Sequence, residues 1–158
     1  MAKAPRTQYE PASSSRSVEM STKDGRGETR VTIRKYSDIL EARQKGRELA
    51  GELGFSSTDC TLIATAISEL ARNIVLYAGQ GEIRLGTSSQ MGNIGVVIRA
   101  SDKGPGIHNI RCAMQDGFST SRGLGLGLPG VKRIMDEFEI SSRVGMGTTV
   151  TAKIWKPR

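Results

Sequence analysis

Aromatic side chains make up only 4% of this 158-residue sequence. Any core it builds must rest on Ile, Leu, Val, Ala and Met, and little is available to stack on nucleic-acid bases. No run of 18 or more apolar residues occurs, so no membrane span is expected. No apolar segment follows the first basic residues, so no secretory signal is expected either. Cysteine is sparse: Cys60 and Cys112 stand apart from any CxxC or zinc-like spacing and read as buried thiols. These absences point to the cytoplasm as the expected location. Lys and Arg outnumber Asp and Glu, 23 to 16, for a formal charge of +7. Yet no basic run exceeds two residues, so the charge is spread out and nucleic acid is not the expected partner. An anionic nucleotide or an acidic protein explains the balance as well. A length of 158 residues supports one domain with one core.

Residues 1–28 read as a disordered N-terminal tail, rich in Ser, Thr, Gly and Pro and lacking apolar periodicity. Its charges nearly cancel, Lys3, Arg6, Arg16, Lys23 and Arg26 against Glu10, Glu19, Asp24 and Glu28. Residues 29–158 read as the folded domain. Arg30–Lys35 alternates apolar and polar residues, as a strand does. Asp38 reads as an N-cap with Glu41 three residues on. Ile39, Ala42, Gly46, Leu49, Ala50 and Leu53 then line a helix that stops at Gly54. Ser57 or Thr58 caps a second helix whose apolar positions run from Leu62 to Val75, ending at Gly79. Strands are expected near Gly81–Ser88 and Gly92–Ser101. A turn at residues 102–107 and a Gly- and Ser-dense segment at 108–130 follow. A third helix is expected over Leu128–Phe138, and closing strands over Ile140–Val144 and Thr148–Ile154. Strands in hairpins with helices on one face make a two-layer α/β sandwich with a mixed, mainly antiparallel sheet.

Three constellations carry chemistry. Glu69 and Asn73, four apart on the second helix, project from one face beside the apolar stripe. Taken alone they read first as a solvated edge pair; a metal-ligating amide beside a proton-accepting carboxylate is the other reading. Asp102-Lys103-Gly104-Pro105-Gly106-Ile107 suits a stiffened turn. It also suits a loop that a flat ligand approaches closely, with Asp102 accepting from an exocyclic amine. Gly123-Leu124-Gly125-Leu126-Gly127-Leu128-Pro129-Gly130 leads into a helix, so its N–H groups can face phosphate, the favoured reading over a simple glycine hinge. No GxxxxGK[ST] P-loop and no Rossmann βαβ context is present.

In this order and spacing the three resemble the motifs of the Bergerat-fold (GHKL) ATPases, the superfamily of gyrase, Hsp90, histidine kinases and MutL. Glu69…Asn73 resembles the N box, Asp102–Ile107 the DxGxG box, Gly123–Gly130 the glycine-rich lid, and Gly145-Met146-Gly147-Thr148-Thr149 the closing GxGT element. The resemblance covers about residues 30–156. The chain is too short for the transducer domains of gyrase, Hsp90 or MutL. Its only histidine, His108, lies in a loop and not on a dimerisation helix. SELARNIVLYAG, Gln115–Ser121 and GLGLGLPGVKRIMDEF are similar to the RsbT-type serine/threonine kinases of stressosome modules, relatives of the anti-sigma factor kinases.

That resemblance implies a protein kinase using ATP, released as ADP, and Mg²⁺. It implies Glu69 as general base and Asn73 as the Mg²⁺ ligand. Asp102 is expected on the adenine amine, with Thr148 supporting it. Gly104 and Gly106 are expected to admit the base, and Gly125 and Gly127 to donate N–H groups to phosphate. Ile107, Arg122, Gly123 and Leu126 complete the nucleotide-contacting set. The implied partners are STAS-domain scaffold and antagonist proteins carrying the acceptor Ser or Thr, and a downstream phosphatase or other regulator, with no nucleic acid and no membrane. Two other functions fit the same ATP site. One is an anti-sigma factor that sequesters a sigma factor and phosphorylates its antagonist. The other is an ATP-dependent switch without kinase activity.

Overall fold

Val31 and Ile33 alternate with Arg30 and Thr32, and that period of two makes strand β1, Thr29–Ile33. The computed structural model describes residues 27–115 and 127–158. After β1 come helices α1 (Tyr36–Glu52) and α2 (Ser57–Asn73) and a π-helical turn (Ile74–Ala78). A hairpin, β2 (Gly81–Gln90) and β3 (Asn93–Asp102), follows. A single helical turn, α3 (Ile110–Ala113), helix α4 (Gly127–Ile134) and strands β4 (Glu137–Arg143) and β5 (Gly147–Trp155) complete the order.

The five strands lie in the order β1-β2-β3-β5-β4. The expected mixed, mainly antiparallel sheet narrows to an antiparallel one: each pairing of described strands is antiparallel. Ile33, Ile83, Leu85, Val96, Ile98, Val150 and Ala152 turn one face of the sheet into a core shared with Ile63, Ile67, Leu70 and Val131. Each fully buried Ile or Leu there contributes about 1.5–3 kcal/mol. α1 and α2 cross closely because residue 46 is glycine; a Cβ there would overlap the Ile67 Cδ1. The β2–β3 hairpin turns on Met91 and Gly92, both at positive φ (51° and 80°), the geometry that matches strand twist in two-residue turns.

The continuous stretch Ser57–Ala78 spans 22 residues and contains an 18-residue window of mean hydropathy 1.2, enough by length and composition to cross a bilayer. Here its apolar stripe is spent on the core: Ile63 and Ile67 are 0% exposed and Leu70 1%. Of the two thiols, Cys60 is buried as expected, whereas Cys112 is half-buried on α3.

Several boundaries differ from expectation by a few residues, and three of the differences have a clear physical reason. α1 begins two residues before Asp38, with Lys35 in the extended cap conformation. Asp38 sits in the first turn, where its Oδ2 accepts the N–H groups of Arg34 (2.9 Å) and Lys35 (3.1 Å). It is the reaching-back half of a capping box, not the cap. α2 is capped one residue before the expected pair: the Ser56 Oγ accepts the Asp59 N–H at 3.1 Å. The third helix ends at Ile134 rather than Phe138, because pairing with β5 captures the chain. The Asp136 N–H donates to the Lys153 carbonyl (2.9 Å), and its carboxylate accepts the Trp155 N–H (2.7 Å). Phe138 and Ile140 then alternate inward with Glu137 and Glu139 outward.

The Arg34 N–H, with help from Lys35, holds the Asp38 carboxyl below its ordinary value of 3.8. A depressed carboxyl stabilises the fold above that value and loses its effect as pH falls through the lower, folded one. Asp38→Ala therefore lowers Tm at neutral pH, and the gap from wild type closes as pH drops below 3.8. Thermal melts followed by circular dichroism across that range measure it; a gap independent of pH contradicts the capping assignment.

Candidate active site

Strand register assembles one end of the site. Gly81 on β2 pairs with Asp102 on β3, Asp102 with Thr148 on β5, and Thr148 with Ser142 on β4. Four backbones thus cross one end of the sheet in a single row. The close approach is literal at Gly147, whose φ is +95° and whose Cβ would overlap the Asp102 carbonyl oxygen. Asp102 uses its Oδ1 to accept the Gly104 N–H at 2.9 Å, which closes the turn. A carboxylate retains acceptor capacity on its second oxygen, as an amine ligand requires.

The loop after Asp102 is clamped from two sides. On one side a Cβ at Gly104 would come within 2.6 Å of the Ala78 Cβ, at the end of the π-helical turn. On the other, a Cβ at Gly106 (φ +74°) would overlap the Arg143 carbonyl oxygen, and the Gly145 N–H donates to the Pro105 carbonyl at 2.8 Å. Packing within the protein therefore already demands glycine at both positions. The expected freedom of a base to approach is an additional use of the same residues.

The sequence reading missed Ser142. Its Oγ accepts the Ile107 N–H (2.7 Å), donates to the Gly147 carbonyl (3.1 Å) and lies 2.8 Å from the Thr148 Oγ1. One donor and two acceptor positions are all that a hydroxyl has, so a consistent count makes Thr148 the donor to Ser142. Thr148, expected to support Asp102, is oriented by Ser142. The available signal was alternation: Phe138, Ile140 and Ser142 share the inward face of β4.

The helices bring the other residues. Glu69 lies one turn before Asn73 on α2, and Asn73 is the residue at which α-helical winding passes into the π-helical turn. The Gly79 N–H donates back to the Ile74 carbonyl at 2.9 Å, five residues away. Such turns mark functional positions often; this one carries Ala78 to the Asp102–Ile107 loop. Glu69 is 5% exposed, not the solvated edge residue its spacing also allowed. Its Oε2 accepts the Gly127 N–H at 3.2 Å, across 58 residues of sequence. Gly127 is the first residue of α4 and is buried. The expected sites Arg122, Gly123, Gly125 and Leu126 lie outside the described residues. Lys103 and His108 are exposed, and Arg72 is half-buried.

These residues suit a nucleotide by their chemistry. A buried carboxylate beside a helix N-terminus, an amide one turn on, and an aspartate at a strand end supply polar groups for phosphate, cation and amine. Among the described residues no group of three or more His, Cys, Asp or Glu could cage a metal. A cation here would rest on Asn73, ligand oxygens and water, as Mg²⁺ at phosphate sites usually does.

Residues 58–158 match the family model described as histidine kinase-, DNA gyrase B-, and HSP90-like ATPase. The chain belongs to that ATPase family. It is 58% identical over 125 residues to the serine/threonine-protein kinase RsbT of Bacillus subtilis (strain 168), covering 79% of this chain and 94% of the relative. An anti-sigma F factor of Thermoanaerobacter sp. (strain X514) is 32% identical over 114 residues, covering 69% of this chain and 79% of its own length. The solved RsbU and RsbW domains of a Mycobacterium tuberculosis protein superpose with a TM-score of 0.53 at 20% identity. That match covers 84% of this chain and 33% of the longer one and shows the shared fold. Within the ATPase family the chain stands with the RsbT-type serine/threonine-protein kinases, and ATP is their nucleotide.

Ser142→Ala leaves the Ile107 N–H without its acceptor. It lowers unfolding stability by about 1–3 kcal/mol, read from urea denaturation, whereas Ser142→Thr retains the hydroxyl and most of the stability. Equal losses in the two variants contradict the hydroxyl's role.

Proposed function

We propose that this chain transfers the γ-phosphoryl group of Mg²⁺-bound ATP to a Ser or Thr hydroxyl on STAS-domain scaffold and antagonist proteins. The observation that carries the reading is Glu69: a 5%-exposed carboxylate at the first amide of the helix that follows the glycine-rich segment, one turn from Asn73. A buried carboxylate beside phosphate-binding amides is placed to take a proton from an incoming hydroxyl.

ATP supplies the phosphoryl group, and Mg²⁺ when bound neutralises charge on it. The Asn73 side-chain oxygen would hold the cation. Asp102 accepts from the adenine amine, with Thr148 set beside it by Ser142. Ile107 and the turn glycines Gly104 and Gly106 form the floor for the base. The family resemblance supports Gly125 and Gly127 as N–H donors to the phosphates, with Arg122, Gly123 and Leu126 as further nucleotide contacts; of these, Gly127 lies among the described residues. Glu69 removes the acceptor proton as the hydroxyl oxygen attacks.

Released from its scaffold, the chain binds and activates a downstream phosphatase or similar regulator, in the cytoplasm. The folded domain for this is residues 29–158. The similarity to anti-sigma F factors favours a second reading, in which the chain also sequesters a sigma factor. Capture of a sigma factor in preference to a STAS protein supports it.

Asn73→Ala abolishes binding of Mg·ATP; unchanged affinity by isothermal titration sinks the metal-ligand assignment. Glu69→Ala still binds ATP but transfers phosphate about two to four orders of magnitude more slowly. The assay is transfer of γ-labelled phosphate to STAS proteins encoded beside this chain, and a near-normal rate refutes the base.

A further inference from the structure

Two roles assigned separately meet at one hydrogen bond. Gly127 is expected to donate its N–H to phosphate, and Glu69 to take a proton from the acceptor. In this structure the Gly127 N–H donates to the Glu69 Oε2 at 3.2 Å. We infer that the Glu69 carboxylate occupies the phosphate-directed amide of Gly127 in the nucleotide-free protein, and that arriving phosphate frees it to act as the base. The inference rests on the kinase reading above and adds the control of its base.

Two further features of the chain support it. α4 has no acidic residue in its own first turn but has Lys132 and Arg133 in its last. Its N-terminal partial positive charge is therefore answered from another element, by Glu69, in the way an anion answers it. Glu69 is also one of only two buried polar or charged residues among those described. A buried carboxylate requires a donor, so the Gly127 N–H is a strong partner rather than an incidental one. Phosphate oxygens and the Glu69 carboxylate are both anions, and one N–H cannot donate fully to both. Binding of the triphosphate thus carries its own signal: the carboxylate that loses Gly127 is left close to the phosphates, with a free oxygen for a hydroxyl proton. Without nucleotide the same oxygen is engaged by the Gly127 N–H.

Amide hydrogen exchange on the full, nucleotide-free chain tests the contact without any turnover. At Gly127 the wild type is protected. Glu69→Ala speeds exchange by about tenfold or more, while Glu69→Gln, which keeps a carbonyl acceptor, changes it far less. In titrations, Glu69→Ala binds ATP about tenfold more tightly than wild type, and adenosine, lacking phosphate, binds both equally. Equal Gly127 exchange in wild type and Glu69→Ala overturns the proposal, as does equal affinity for ATP. Should Glu69→Ala fail to fold, the side-chain carboxylate carbon resonance of Glu69 in wild-type protein decides: it shifts on adding ATP and not on adding adenosine, and an unmoved resonance with ATP bound overturns the proposal. Failure of the kinase reading shows elsewhere, as absence of phosphoprotein from the wild type.

Discussion

The pairing of β3 with β5 is the constraint on which the site depends. Asp102 opposite Thr148 sets where the strand ends, and therefore where the loop of residues 103–107 begins. A slip of one residue would turn Asp102 to the opposite face and send Val150 and Ala152 out of the core. The same alternation that buries Ile98, Ala100, Val150 and Ala152 holds the polar row at the sheet end. Core packing and site geometry are consequently one requirement, and β4 extends it by placing Ser142 against Thr148.

Against this rigid end sits a helical wall whose geometry changes at Asn73. α-Helical winding delivers Glu69 into the interior, and the π-helical turn then brings Ala78 against Gly104. The loop bearing the DxGxG pattern is gripped between that turn and the β4–β5 turn. Its glycines serve packing first. Motif glycines are often credited to ligand approach alone, and here the backbone of the protein itself already fills the space a Cβ would need.

Much of the arrangement was legible in the sequence because it follows local periods. The spacing of Glu69 and Asn73 placed them on one helix face, and the alternation around Ile98 and Val150 announced strands. What could not be read is non-local. Ser142 meets Ile107 across 35 residues, and no local pattern marks it beyond an inward strand position. Glu69 meets Gly127 across 58, so spacing alone could not separate a buried carboxylate from a solvated one. Asp38 was placed at the wrong end of its capping box because its partner amides precede it. The expected extension of the third helix to Phe138 failed for a different reason. Residues 135–140 carry apolar side chains compatible with both periods, and the free edge of β5 decided between them.

The strand order has a consequence for how the chain folds. β3 lies between β2 and β5, but β5 is the last strand in the sequence, with α3, α4 and β4 intervening. Until it arrives, the hairpin of β2 and β3 presents Asn93–Asp102 as an open edge, carrying Val96, Val97 and Ile98. Such an edge invites pairing with another chain, and its native partner returns only after a long loop closure. Arg99 within that edge is a charge of the kind that discourages wrong partners. Folding speed and resistance to aggregation therefore turn on how quickly β5 threads between β3 and β4, a demand separate from anything the finished site does.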